Sequence, residues 1–206
     1  SLVGSEMCIR DRHGANWNTE IGILNFLPGG AHNVANDKTK HLVRKWVPRV
    51  LRATAPRNST NMDWIVFRVA ELYLNYAEAL NEYYETPPKE AFDAVLKVRE
   101  RSGMPGFPST LNKEQFREKL RRERAVELAY EDHRFWDIRR WLIADDEGVM
   151  KGAMYGLQLS AVTGAPGKVH YKPYVFENRL WSDRSYLHPI KQTEIDKGYM
   201  LQNPGW

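Results

Sequence analysis

Three glutamates, Glu123, Glu127 and Glu131, stand four residues apart in the stretch RRERAVELAYEDHRFWDIRRW at positions 121–141. Paired carboxyl groups are the equipment of glycoside hydrolysis, one acting as general acid and the other as base or nucleophile. Glu127 and Asp137 are the candidates for such work in this chain. Their setting argues against it. Glycosidases place two carboxyl groups on either side of the bond to be broken, usually from different elements, whereas Glu123 and Glu127 are one helical turn apart. The stretch is also rich in arginine, and a guanidinium beside a carboxylate lowers its pKa and disables it as a general acid near neutral pH. No catalytic residue is assigned.

The same charges make better sense as structure. A helix starting near Asn112 places Phe116, Leu120, Glu123, Glu127, Tyr130 and Arg134 on one side, with Arg124 and Glu131 beside them. An apolar stripe is thus continued by carboxylates and guanidinium groups. Like charges four apart destabilise a bare helix, and a buried charge is tolerated only when paired. The sequence therefore predicts a partly buried ion-pair network of Glu123, Arg124, Glu127, Glu131 and Arg134, with Arg121 close by, locking this helix to its neighbours. An ordinary solvated face is the alternative.

Other chemistries find little support. There is no G-x-S-x-G, no H-E-x-x-H and no glycine-rich phosphate loop; Gly164-Ala165-Pro166-Gly167-Lys168 lacks the spacing and the following Ser or Thr. The 6 histidines include no pair at i, i+3 or i, i+4, so no metal site is read from them. Asp145, Asp146 and Glu147 could collect Ca²⁺ with loop carbonyls, but read better as an exposed acidic helix end. No cofactor is implied. The net charge of +4 is mild and its cations are mixed with acids, which disfavours nucleic acid as a partner. No apolar run reaches the length of a membrane-spanning helix.

Aromatic residues remain, 7 Trp, 10 Tyr and 7 Phe, and sugar faces stack on such rings while polar neighbours take the hydroxyls. Most lie on helical faces and read as packing, among them Tyr73, Phe92, Phe116, Phe135, Trp136 and Trp141. The ligand-binding candidates are the loop aromatics Trp17, Tyr171, Tyr174 and Trp181. Trp181 stands among Asn178, Arg179, Ser182 and Asp183, a mixture suited to hydroxyl recognition.

Four helices are predicted to position these residues. The first covers 65–84, with Val66, Val69, Ala70, Tyr73, Ala77 and Leu80 on one face; Leu72, Leu74 and Tyr76 widen that face, so packing on more than one side is expected. The second starts at Pro88, turns Ala91, Phe92, Val95, Leu96 and Val98 inward, and stops at Ser102-Gly103. Together they form a helical hairpin of tetratricopeptide-like size. The third starts at an Asn112 cap with Gln115 as reciprocal partner and runs to about residue 130. The fourth covers 133–143 after little or no break. Residues 13–61 read as loop, with one extended piece at 42–50, and residues 149–188 as an irregular layer with a strand near 169–175. A short helical turn is expected at 192–197, and Trp206 is expected to dock in the core. The fold class is mainly α: tetratricopeptide-like helical hairpins under an irregular, loop-rich layer, with room for a short strand pair.

These residues also carry a resemblance. Glu123-Arg124, Glu127-Leu128-Ala129-Tyr130-Glu131 and His133 to Trp141 look like the signature of the SusD/RagB family, E-R-x-x-E-L-x-x-E-x-x-R-x-x-D-x-x-R-W. Arg68-Val69-Ala70-Glu71 with Tyr76-Ala77-Glu78-Ala79 resembles the preceding family helix. Pro189-Ile190, Glu194-Ile195 and Gln202-Asn203-Pro204-Gly205-Trp206 resemble its C-terminal close. The resemblance implies that residues 13–206 are the C-terminal part of such a domain, with an all-helical tetratricopeptide-like scaffold. It further implies a non-catalytic lipoprotein on the outer-membrane surface, held by an N-terminal lipid anchor absent from this stretch. Such a protein captures oligosaccharides or other nutrients for a TonB-dependent, SusC-type transporter. Residues 1–12, which hold the sole cysteine Cys8, match nothing in the family and read as adaptor-derived sequence outside the fold. Two other functions stay open on the residues alone: a helical-repeat scaffold that binds proteins, and a glycan-cleaving enzyme.

Overall fold

The structure is a computed structural model that describes Lys38, Lys45 and residues 65–164 and 168–206. The segment 1–12, the extended piece at 42–50 apart from Lys45, and Trp17 lie outside the described residues. The chain divides into two compact units; their described parts are Lys45 with 65–134, and Lys38 with 135–206.

The first unit is helical. Helix α1 (Val69–Tyr83) and helix α2 (Lys89–Glu100) form a hairpin, and helix α3 (Lys113–Glu127) also packs on α1. Their shared core consists of Leu74 and Ala77 from α1, Ala91, Ala94, Val95 and Val98 from α2, and Phe116, Leu120 and Leu128 from α3 and its end. Phe116 is central, meeting Phe92 edge-on at 4.9 Å and Phe107 at 5.7 Å. Helix α2 stops where Gly103 takes φ +69° and Met104 N–H bonds the Arg99 carbonyl at 3.1 Å, a backbone turn that L side chains resist. The α3 cap is reciprocal: Gln115 N–H donates to Asn112 Oδ1 at 2.9 Å, and Asn112 N–H donates to Gln115 Oε1 at 3.1 Å.

Two expectations need correcting here. On α1 the buried residues are Leu74, Ala77 and Asn81, whereas Val69 and Tyr76, 62% and 51% exposed, face outward. Apolar residues cover well over half the circumference of α1 and the buried side includes the polar Asn81, so periodicity did not single out the side that finds α2 and α3. Helix α3 also ends sooner than expected, at Glu127. Tyr130 and Asp132 both take φ +62°, and this left-handed kink separates α3 from helix α4 (His133–Arg140). Tyr130 is a bulky residue for that conformation, so no glycine marked the break in the sequence.

The second unit contains the rest of α4 and a two-stranded antiparallel sheet. Strand β1 (Gly152–Ala161) pairs with strand β2 (Val169–Arg179) along their whole length, with a bulge between Met154 and Tyr155. The region read as an irregular layer is therefore largely a regular hairpin. Lys38 meets its outer edge, where Leu157 N–H donates to the Lys38 carbonyl at 2.8 Å. Gly156 permits that approach, since a Cβ there would lie 2.3 Å from the Lys38 oxygen. A 3₁₀ turn at Asp183–Tyr186 and the short helix α5 (Gln192–Ile195) follow. Trp206 does not enter the core. Its indole N–H bonds the Arg184 and Leu187 carbonyls at 3.0 and 3.1 Å, while 45% of the residue stays exposed. Satisfying the indole N–H at the surface holds the ring there, against the Arg184 guanidinium at 4.5 Å.

Candidate functional site

The charged stripe lies at the C-terminal end of α3, where carbonyls lack intrahelical donors and the helix dipole favours cations. Arg68 Nη2 donates to the Glu127 carbonyl at 2.6 Å, and Lys45 Nζ bonds the carbonyls of Glu127 and Ala129 at 2.7 and 3.0 Å. The same cations hold the carboxylates. Arg68 reaches Glu127 at 2.6 Å through Nη1 and Glu131 at 2.7 Å through Nε, and Lys45 pairs with Glu131. Arg101, from the end of α2, adds bonds of 2.8 and 3.0 Å to Glu127. Glu123 pairs with Arg99 of α2. Arg124, buried, donates to Asn75 Oδ1 at 2.6 Å and lies 3.9 Å from Glu71, which also meets His133 at 3.5 Å. Arg134 is exposed on the first turn of α4.

Among the described residues these carboxylates draw Arg68 from the N-cap of α1 and Arg99 and Arg101 from α2 and its C-cap; Arg121, Arg124 and Arg134, expected among them, have further contacts of their own. Arginines on the helix that carries the glutamates project from the same cylinder. Those on α1 and α2 can approach from across the packing seam. Burial would raise the pKa of Glu131, but hydrogen bonds from Arg68 and Lys45 outweigh it and hold the carboxyl below its ordinary value. Glu123 goes the other way: burial, helped by nearby Glu127, prevails over Arg99 and raises it. Glu127, with three charge-assisted contacts, is occupied by neighbours and has no free face aimed at a substrate.

Among the ligand candidates, the structure places Tyr171 and Tyr174 on opposite faces of the β hairpin. Tyr171 pairs with Leu159, on the face that carries Leu157, Pro173 and Tyr155. Tyr155 and Tyr171, 64% and 56% exposed, lie at the two ends of this apolar surface. Tyr155 was missed in the sequence, although its alternation with Leu157 and Leu159 is a period-2 signal. Tyr174 pairs with Gly156 and its ring lies over that glycine.

Trp181 sits elsewhere, beyond the end of β2. Its ring meets Tyr186 edge-on at 5.2 Å, and the Arg139 guanidinium of α4 lies 5.3 Å from it and 3.6 Å from the Phe135 ring. Phe135 is stacked in turn on His188. Tyr186 donates its hydroxyl to Asp145 at 2.5 Å, a bond that lowers the Asp145 pKa. Next to this cluster is a cleft of about 530 Å³ lined by Ser182, Asp183, Arg184, Leu187 and Gly205, among others. Hydroxyl, carboxylate and guanidinium groups face an apolar wall there, which is the composition that recognises polyhydroxylated ligands. Gly205 is required at this point: it takes φ +86°, and a Cβ would come within 2.8 Å of Arg184 Cβ.

No group of three or more His, Cys, Asp or Glu side chains suited to a metal ion occurs among the described residues. Glu147 instead accepts the Ala153 N–H at 3.3 Å. None of the described helices is long and apolar enough to cross a membrane.

The model of the SusD family matches residues 12–206. A SusD-like protein, P25, from Formosa agariphila is 40% identical over 95 residues, which is 45% of this chain and 18% of that protein. The crystal structure of a SusD-like protein from Bacteroides fragilis is similar with a TM-score of 0.69 and 31% identity, over 82% of this chain and 31% of that one. A SusD homolog from Bacteroides thetaiotaomicron gives a TM-score of 0.50 and 30% identity, over 72% of this chain and 30% of its own. The chain therefore spans about a fifth of the curated relative and under a third of each of these solved chains.

Proposed function

This chain belongs to the SusD family, and from that premise we propose that it is part of a protein that captures nutrients, glycans foremost, at the outer-membrane surface. The captured ligand is handed to a TonB-dependent, SusC-type transporter, and no bond is made or broken in the process. A lipid anchor on the longer protein holds it at the membrane. The observation that carries this reading is the family match over residues 12–206, which includes the helical unit, the hairpin and the C-terminal close. The site geometry supports it. The two carboxylates that could serve as acid and base are both engaged, Glu127 by Arg68 and Arg101 and the buried Asp137 by Arg140 at 3.0 Å. The exposed rings and the cleft beside Trp181 offer shallow stacking and polar contacts instead. Contacts of this kind give modest affinity, and modest affinity suits release to a transporter.

Affinity electrophoresis through gels containing single soluble polysaccharides tests the proposal. Retardation by one class of glycan is expected, with weaker retardation for the Trp181→Ala or Tyr171→Ala variant. Unretarded migration on every glycan would overturn capture by this chain.

A further inference from the structure

On the helical unit, remote in sequence from Trp181, a cavity of about 240 Å³ opens between the loop after α2 and the outer face of α3. Its walls combine Phe107, Pro108 and Val126 with the cations Arg99, Lys119 and Arg122. One carboxylate, Glu123, also lines it. Glu123 is already matched by Arg99, which is fixed further by an Nε bond to the Pro105 carbonyl at 2.7 Å and by its place over the Phe107 ring at 5.1 Å. Lys119 and Arg122, one turn apart on α3, are both exposed, and no ion pair among the described residues engages either of them. Glu118, four residues before Arg122 on the same helix, forms no ion pair with either cation among the described residues. Two uncompensated cations therefore border a small recess, apolar along Met104, Phe107, Pro108 and Val126 and charged elsewhere, whose own carboxylate is paired with Arg99.

Resting on the nutrient-capture reading, we propose that this recess binds the oxyanion-bearing ring of an acidic saccharide, a uronate or a sulfated sugar. The volume is below the ~300–1,000 Å³ of clefts that enclose drug-sized ligands, so it suits one ring rather than a long chain segment. Phe107, Pro108 and Val126 receive the C–H face of the ring. Lys119 and Arg122 receive its carboxylate or sulfate, Arg122 with the planar fork that matches an oxyanion and Lys119 as a point charge. A neutral sugar would leave both cations without a partner, so the pocket distinguishes acidic from neutral glycans by charge. Because both cations are at the rim, binding should weaken as salt screens them.

The test is titration calorimetry of the full chain with three probes of matched length: a galacturonate tetramer, a sulfated galactose tetramer and a neutral galactose tetramer. One or both acidic probes should bind at least about tenfold more tightly than the neutral one, with loss of that preference in Lys119→Gln/Arg122→Gln, as expected when charge-assisted bonds are removed. Both positions are exposed, so the variant should keep its melting temperature; the single Arg122→Gln variant provides a milder second reading. The acidic probe that binds identifies the anion as carboxylate or sulfate. Equal binding of neutral and acidic probes, or an acidic preference unchanged in both variants, overturns the inference while leaving nutrient capture standing. Binding of none of the three overturns the inference and counts against the capture reading as well.

Discussion

Replacing Glu127 by alanine probes the ion network where its geometry is best defined. The residue is 8% exposed and accepts bonds from Arg68 at 2.6 Å and from Arg101 at 2.8 and 3.0 Å. Removing one member of a buried pair typically costs about 3–5 kcal/mol, because the remaining charge is stranded. Two features reduce that figure here. Arg68 keeps its bond to Glu131 at 2.7 Å and its bond to the Glu127 carbonyl at 2.6 Å, so it is not left alone. The Arg101 side chain is 42% exposed, and water screens its loss. A cost of about 2–3 kcal/mol remains, which for a chain of this size corresponds to a fall in Tm of roughly 4–12 °C. Urea unfolding followed by circular dichroism, together with a thermal scan, measures it. Glu118→Ala, on the exposed side of the same helix, is the control and should stay within about 0.5 kcal/mol of the parent. A Glu127→Ala loss no larger than the control's would refute the buried network. A double-mutant cycle with Arg68→Ala should also show a coupling of about 0.5–3 kcal/mol, and strict additivity would point the same way.

Other consequences can be measured on the same protein. Glu131 has a folded pKa below its ordinary 4.5, so it favours the folded state above that pH and loses this contribution as pH falls through the folded value; the urea midpoint should decline in acid below about pH 4.5, less steeply in Glu131→Gln. Asn112→Ala removes one half of the capping box and should cost about 1 kcal/mol, read as a lower urea midpoint with an unchanged slope. Gly156→Ala forces a Cβ against the Lys38 carbonyl and the Tyr174 ring and should cost about 1–3 kcal/mol, with loss of amide protection at Leu157 in hydrogen exchange. Phe116→Ala empties the centre of the helical core and should cost about 3–5 kcal/mol by urea unfolding.

Local chemistry was the legible part of this fold. Asn112 and Gln115 announced the start of α3, and Gly103 announced the stop of α2, because each acts on backbone groups within a few residues. The like-charge ladder showed that cations had to be near, since the cost of burying carboxylates is independent of topology. It could not show which cations. Arg68 and Glu127 are 59 residues apart, and only the packing of α1 against α3 brings them together. The kink at Tyr130 and Asp132 was hidden because two ordinary residues take a conformation usually given to glycine. Strand β1 carried an intact alternation at Tyr155, Leu157 and Leu159, but Gly152 and Gly156 on its other face read as breakers, although Gly156 serves the close approach of Lys38. Among the site residues, Tyr171 and Tyr174 shared a strand in the sequence, but the side each one faces depends on register with β1. For Trp181, sequence neighbours suggested hydroxyl recognition, while its ring packs against Tyr186 in the following 3₁₀ turn and against Arg139, far away in sequence on α4. Neither Lys119 nor Arg122 stood out, since a cation on an exposed helix face looks solvated until a loop from α2 closes a recess beside it.

The central claim, binding without chemistry, is tested most directly by titrating the chain with the glycan selected by affinity electrophoresis and then sizing the recovered glycan by chromatography. Saturable binding and a glycan of unchanged length after prolonged incubation are expected. Shortened products that disappear in Glu127→Gln or Asp137→Asn would contradict it and make the protein an enzyme.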